Sequence, residues 1–272
     1  MLIVTYNIQW GMGRDRRIDL DRIARTVARA DVIALQEVER NWREQDFPDQ
    51  ALRLAELLPG YDWVYAPAVD LHAGPGRRRR QIGNMVLSRS AIESTRTLPL
   101  PARPVDGFVN DQQAMVEAVV DGLRIYNTHL NYLGEDQRFD QAQRLLALIA
   151  EAPERGGPVT APGVASLGPE DEWIVLPDGK LPTMPEPAIL LGDFNCVPGS
   201  PTYRAVRAAG FADALELAGL GTHRGVTFPG STPPLRLDHV FLSPTLSSRF
   251  RRGWIDEAAD GSDHQPVWLE LA

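Results

Sequence analysis

Short apolar runs recur along this chain, and most of them break off at a carboxylate, an amide or an imidazole. Ile189-Leu190-Leu191 stops at Gly192-Asp193-Phe194-Asn195, Val32-Ile33-Ala34-Leu35 at Gln36-Glu37, and the first run at Asn7. Uninterrupted apolar runs of this length, rich in β-branched residues, predict buried strands. Further strands are predicted at 61–66 and 85–88. Val116 to Val120 and Leu123 to Thr128 predict a hairpin about Asp121-Gly122, whose second strand delivers His129. Asp238-His239 leads into Val240-Phe241-Leu242, and Asp263-His264 precedes a terminal strand from Val267.

A second period lies between these runs. Leu20, Ile23, Ala24 and Val27 share one face of a predicted helix from Asp19 to Ala30. Leu54, Leu57 and Leu58 predict a helix from Gln50 to Leu58, ended by Pro59-Gly60. Helices are also predicted from Asp136 to Ala150 and from Thr202 to Ala209. From about 153 to 187 the chain becomes dense in Pro and Gly, broken only by Trp173-Ile174-Val175-Leu176 and a Pro177-Asp178-Gly179 turn. That texture predicts a surface insertion carrying a small hairpin, within one domain spanning 1–272.

Polar residues at the ends of buried strands need a reason, because a buried charge is costly unless it is paired or bound to metal. Their recurrence points to a shared pocket holding Asn7, Glu37, Asn84, His129, Asp193, Asn195, Asp238, Asp263 and His264. Composition narrows the setting. The chain is 43% hydrophobic and 24% charged, with no apolar run of membrane-spanning length. Cys196 is the single cysteine, so no internal disulfide forms, and the strand-like N-terminus lacks a leader pattern. A cytoplasmic location is expected.

The formal net charge of −8 disfavours a polyanionic partner, since phosphate backbones are bound by Lys and Arg. Only Arg77-Arg78-Arg79-Arg80, beside Gly74-Pro75-Gly76, runs the other way. That run reads as a solvated loop, or as a mobile loop capturing an anionic substrate.

Taken together, the segments resemble the endonuclease/exonuclease/phosphatase superfamily, the metal-dependent phosphoesterases related to DNase I. The resemblance is carried, in order, by Thr5-Tyr6-Asn7-Ile8, Leu35-Gln36-Glu37-Val38, Gly83-Asn84 with Leu87-Ser88-Arg89, and Thr128-His129-Leu130. Gly192-Asp193-Phe194-Asn195, Leu237-Asp238-His239-Val240-Phe241 and Ser262-Asp263-His264 with Pro266 complete it.

This resemblance implies an α/β (α+β) four-layer sandwich, two mixed sheets face to face with helices outside. It implies a divalent ion, Mg²⁺ or Mn²⁺, on Glu37 with Asn7 and Asp263 in support. His264 paired with Asp238 would be a general base or a cationic clamp on the phosphate. Asp193 would orient or deprotonate water, Asn195 would donate to a phosphate oxygen, His129 would be a second donor or the leaving-group acid, and Asn84 would orient ligands or phosphate. The surface charge favours a small or lipid-headgroup phosphoester over nucleic acid. A DNA or RNA nuclease is the alternative, and a catalytically silent binding module a third reading. Two departures stand out: Asn110-Asp111-Gln112-Gln113 replaces a basic residue common ahead of the hairpin, and His239 stands where an aromatic is common. Both are expected to tune substrate choice.

Overall fold

The computed structural model describes residues 1–43, 49–160, 181–221 and 224–272. Strands β1 (Leu2–Asn7), β2 (Val32–Arg40), β3 (Asp62–Leu71), β4 (Arg80–Ser88), β11 (Phe250–Ile255) and β12 (Val267–Leu271) form one sheet, ordered β11-β12-β1-β2-β4-β3. The second contains β5 (Ile92–Pro99), β6 (Ala114–Val120), β7 (Leu123–His129), β8 (Ala188–Asp193), β9 (Ala212–Asp213) and β10 (Asp238–Leu242), ordered β5-β6-β7-β8-β10-β9. Each sheet is mixed, with one parallel pair: β1 with β2, and β7 with β8.

The uninterrupted apolar runs follow from burial on both strand faces. Ile3, Val32 and Ala34 point inward and meet Ile125, Ile189, Leu191 and Val240 of the other sheet. Val4, Tyr6, Ile33 and Leu35 point outward onto α1 (Leu20–Val27) and α2 (Gln50–Leu57). On the far side Tyr126 and Leu190 pack under α3 (Glu135–Arg155) and α4 (Pro201–Ala208). A one-turn α5 (Ala214–Leu217) follows β9. The result is the expected helix–sheet–sheet–helix sandwich.

Several boundaries differ from the sequence expectation. Strand β2 continues past Leu35 to Arg40, where Val38 and Glu39 are still buried and paired with β4. The β3–β4 hairpin extends to Leu71 and Arg80 through half-exposed and exposed residues, where no apolar period marks a strand. Helix α3 runs past Pro153 to Arg155, because Ile149 and Ala152 remain buried and pack its last turns. The start of the anticipated insertion is therefore helical, and its hairpin at Trp173 to Leu176 lies outside the described residues.

The topology brings the polar strand ends to one edge of the sandwich. β1, β2, β7 and β8 finish there, and antiparallel β10 and β12 begin there. Asp193 at the end of β8 lies in register with His129 on one side and Asp238 on the other. Gly192 makes this approach possible. At φ +138° a Cβ would sit 1.8 Å from the Thr128 carbonyl oxygen, so no other residue fits.

Candidate active site

Asp193 is the buried hub. Its Oδ1 accepts from the Asn195 N–H at 2.8 Å, and its Oδ2 accepts from Asn7 Nδ2 at 2.9 Å. The same Oδ2 stands 3.5 Å from His129 Nε2 and 3.7 Å from His264 Nε2. Asn195 holds its position with a φ of +47°, a left-handed conformation that asparagine tolerates better than most residues.

Its amide nitrogen donates to the Leu130 carbonyl at 3.0 Å, which fixes the orientation of the group, and also faces His129 Nε2 at 3.0 Å. The same His129 nitrogen stands between this amide and the Asp193 carboxylate. Both Asn195 amide protons are thus committed within the protein, one to the Leu130 carbonyl and one toward His129.

His264 Nδ1 bonds Asp238 Oδ2 at 2.8 Å in a buried pair, with Phe228 packed 4.9 Å from the imidazole. Burial opposes a charged ring, but the negative charges of Asp238, Asp193 and Asp263 outweigh it and push His264 up to about 10. Burial and the Asp193 charge push the Asp238 carboxyl up, with His264 opposing them. The surrounding carboxylates thus favour the charged form of His264, whose Nε2 faces Asp193.

Glu37 reaches the same edge from β2. It sits where the β2–β4 register shifts, between Leu35 and Val38, at φ +58°. Such a bulge re-aims one side chain out of the strand's alternation. Asn7 Nδ2 donates to Glu37 Oε1 at 2.9 Å as well as to Asp193, while Asn7 Oδ1 accepts from the Gln9 N–H at 3.0 Å. Asn7 is thus a bridge between two carboxylates that turns its nitrogen, not its oxygen, toward them.

Asp263 accepts from Gln9 Nε2 at 2.8 Å, and burial together with the Glu37 charge pushes its carboxyl up, opposed by His264. Glu37 and Asp263 make no ion pair with Lys or Arg among the described residues. Two neighbouring carboxylates without a protein cation suit a hard divalent ion. Asp193, Asp238 and His264 also lie close enough to group around an ion. In that group His264 and Asp238 are already bonded to each other, whereas Glu37 and Asp263 have no cationic partner among the described residues, so the Glu37–Asp263 side is the better fit.

Beside these groups opens a cleft of ≈ 180 Å³ lined by Glu37, Asn84 and His129. Asn84 is buried and donates to the Ala114 carbonyl at 2.9 Å, leaving its oxygen for the cleft.

The family model described as Endonuclease/Exonuclease/phosphatase family matches residues 4–264 of this sequence. The chain belongs to that family. It is accordingly a phosphoester hydrolase with a DNase I-like fold. An endonuclease/exonuclease/phosphatase from Beutenbergia cavernae is similar at 22% identity and TM-score 0.69, over 100% of this chain and 72% of that one. A mannosyl-6-phosphatase from Bacteroides thetaiotaomicron is similar at 21% identity and TM-score 0.66, covering 100% and 99%. A 3′ phosphatase from Neisseria, bound to a product DNA hairpin, is similar at 18% identity and TM-score 0.61, also covering 100% and 99%. At these identities the structures speak to the fold alone. No curated protein matches the sequence.

Within this endonuclease/exonuclease/phosphatase fold, His239 has a different place from the one anticipated. It points to the helix side of β10, among Phe194, Tyr203 and Phe241. Its Nε2 faces the Cys196 carbonyl at 2.9 Å, and its Nδ1 lies 3.6 Å from Asp213 Oδ2, an ion pair rather than a hydrogen bond. It therefore braces the loop behind Asn195, and Cys196 is an ordinary buried residue there.

Burial disfavours the His239 cation, but the Asp213 carboxylate and the Cys196 side chain prevail and raise it from 6.5 to about 10. A folded value above the unfolded one stabilises fully below pH 6.5, and that stabilisation is lost as pH rises toward 10. Urea unfolding at pH 6 and pH 9 is expected to show a lower stability at pH 9, to which His264 also contributes, and His239→Gln should shrink that difference. An equal drop in the variant would assign the effect elsewhere.

Two buried amides escaped the sequence reading. Gln36 Nε2 donates to Thr5 Oγ1 at 3.0 Å and to Asn127 Oδ1 at 2.7 Å, and Asn127 Nδ2 donates to the Leu35 and Met85 carbonyls, each at 3.0 Å. They cross-brace the two sheets just beneath the catalytic edge. Gln36 stood next to Glu37 in a strand-end motif, the one signal that could have found it.

Proposed function

We propose that this protein is a divalent-metal-dependent hydrolase of a small or lipid-headgroup phosphoester. The observation that carries the reading is the continuous chain His264–Asp193–Asn7–Glu37, which puts an imidazolium, a base and a hard-ion site at one strand edge. Mg²⁺ or Mn²⁺ held by Glu37 and Asp263, with water completing its shell, would supply Lewis-acid polarisation of a phosphoryl oxygen. Asp193 Oδ2 takes a proton from the water that attacks phosphorus in line, while Asn7 holds that carboxylate in place. His264, oriented by Asp238, donates to the phosphate oxygen on which charge builds. The phosphorus–oxygen ester bond breaks, and the alcohol leaves with a proton from solvent.

The size of the cleft and the net charge of −8 favour a small substrate. One observation favours the nuclease reading: the β3–β4 register carries the arginine run past the catalytic edge, on the loop before Arg80. Arg79 there is occupied by Asp70 at 2.6 Å.

Turnover with Mg²⁺ or Mn²⁺ on a chromogenic monoester, a chromogenic diester, lipid-headgroup diesters, short RNA and plasmid decides between the two. Cleavage confined to nucleic acid would replace the small-substrate reading. Glu37→Gln should raise the metal concentration needed for half-maximal turnover by roughly tenfold or more. An unchanged metal titration would move the ion away from Glu37.

A further inference from the structure

The same cleft has a second set of lining groups that the chemistry above does not use. Asp111 and Gln113 enter it just ahead of β6, and Tyr132 enters it just after β7. Gln113 is 5% exposed, and its amide makes no hydrogen bond among the described residues. Its backbone is fixed all the same, because the carbonyl accepts from Leu100 N at 2.9 Å and Gln112 Nε2 at 2.7 Å.

The Gln113 amide is thus spent on no described protein partner, and its donor and acceptor are open to a ligand in the cleft. The Asp111 carboxylate likewise has neither hydrogen bond nor ion pair among the described residues, and its Oδ1 is shielded from solvent. Tyr132 is 58% exposed; its hydroxyl is tethered to the Val109 carbonyl at 3.3 Å, which leaves the ring face open at the rim. Asn131 bonds Asn110, so the two loops are joined into one wall.

What this wall can recognise follows from its inventory. A carboxylate accepts only, and an amide both accepts and donates. Among the described residues no Lys or Arg lines the cleft. A second phosphate beside Asp111, as in a nucleic-acid strand or a polyphosphate, would meet a carboxylate with no cationic partner among the described residues. Hydroxyl groups donate to Asp111 and to the Gln113 oxygen, accept from its nitrogen, and leave a C–H face for the Tyr132 ring. The cleft of ≈ 180 Å³ is also smaller than the roughly 300 Å³ at which sites for drug-sized ligands begin.

We infer that Asp111, Gln113 and Tyr132 form the subsite for the departing alcohol, and that this alcohol is an uncharged polyhydroxylated ring, a sugar or cyclitol carrying the scissile phosphate. The inference rests on the phosphoester-hydrolase reading and names the substrate class of that site.

The test compares wild type with Gln113→Ala, Asp111→Asn and Tyr132→Ala in Mn²⁺, the last being an exposed position whose replacement leaves the core untouched. Substrates are a hexose phosphate, an inositol monophosphate, phosphatidylinositol vesicles, a terminally phosphorylated oligonucleotide and p-nitrophenyl phosphate, which has no hydroxyl to read. The ratio of kcat/KM for hexose or inositol phosphate over the aryl ester should fall tenfold or more in the first two variants, through KM. A wild-type preference for the vesicles keeps the polyol chemistry and assigns the lipid as its source. An unchanged ratio in all three variants, or a wild-type preference for the oligonucleotide, overturns the inference. Failure of wild type to hydrolyse even the aryl ester would refute the hydrolase reading instead. Calorimetric binding of hexose phosphate, expected to weaken tenfold or more in Asp111→Asn, then decides the subsite by itself.

Discussion

Replacing His264 by alanine is expected to lower kcat by about 100-fold or more, the usual range for a positioned acid–base or charge-stabilising group. The argument is geometric. The ring is anchored at Nδ1 by Asp238 at 2.8 Å, and its other nitrogen stands 3.7 Å from the Asp193 oxygen assigned to the attacking water. Its neighbouring carboxylates keep it charged, so a fixed cation is already aimed where phosphate charge will develop and needs no reorganisation during the reaction.

Alanine also strips Asp238 of that partner, and Asp238 Oδ1 already lacks one among the described residues. A loss of folded protein could therefore imitate a loss of chemistry. His264→Gln separates the two, because its amide can still donate to Asp238 but carries no charge. Both variants should melt as cooperative folded proteins, and both should be slow. A kcat within threefold of wild type in the glutamine variant would remove His264 from the chemistry.

The parts of this site that were legible in the sequence share one physical signature. Asp193, Glu37 and Asn7 each terminate a run buried on both faces, so the change from apolar to polar is abrupt and visible. The buried strands were legible for the same reason, but helices on both faces of one sheet would leave the same apolar runs, so the four-layer sandwich was implied by the family resemblance and not by the pattern. Elements that are half exposed left no such mark. β5 alternates between half-buried and exposed residues, reading Ile-Glu-Ser-Thr-Arg-Thr-Leu-Pro, and β11 pairs only with β12 at the sheet edge.

Conformation was a second blind spot. The left-handed backbone at Glu37 and Asn195 decides where their side chains go, yet no residue pattern announces it for a glutamate in a strand. The third was a matter of partners. Gln113 and Asn127 are both buried amides near the site, and only the hydrogen bonds separate them. Asn127 spends its amide on Leu35, Met85 and Gln36, whereas Gln113 spends its amide on nothing in the described chain.

Asp193→Asn is expected to lower kcat by about 100-fold or more as well, for a reason distinct from His264. The substitution is nearly isosteric, and its side-chain oxygen can still accept from the Asn195 N–H, so the Gly192–Asn195 turn should persist. The nitrogen then replaces Oδ2, where it meets a donor, Asn7 Nδ2, at 2.9 Å. Two N–H groups cannot bond each other, so Asn7 loses its grip on one side and retains only Glu37. The variant also loses the lone negative charge that could accept a proton from water.

Two effects are therefore predicted together: a large fall in kcat, and a weaker response to added metal because the Asn7 bridge to Glu37 has been disturbed. The first would be read from kcat with saturating Mn²⁺ and the second from the metal titration. A Glu at position 193 would keep the charge and displace it, so its rate should remain low if placement matters. If Asp193→Asn turns over within tenfold of wild type, the base must be sought elsewhere, and His129 is the nearest candidate, 3.5 Å from the same oxygen.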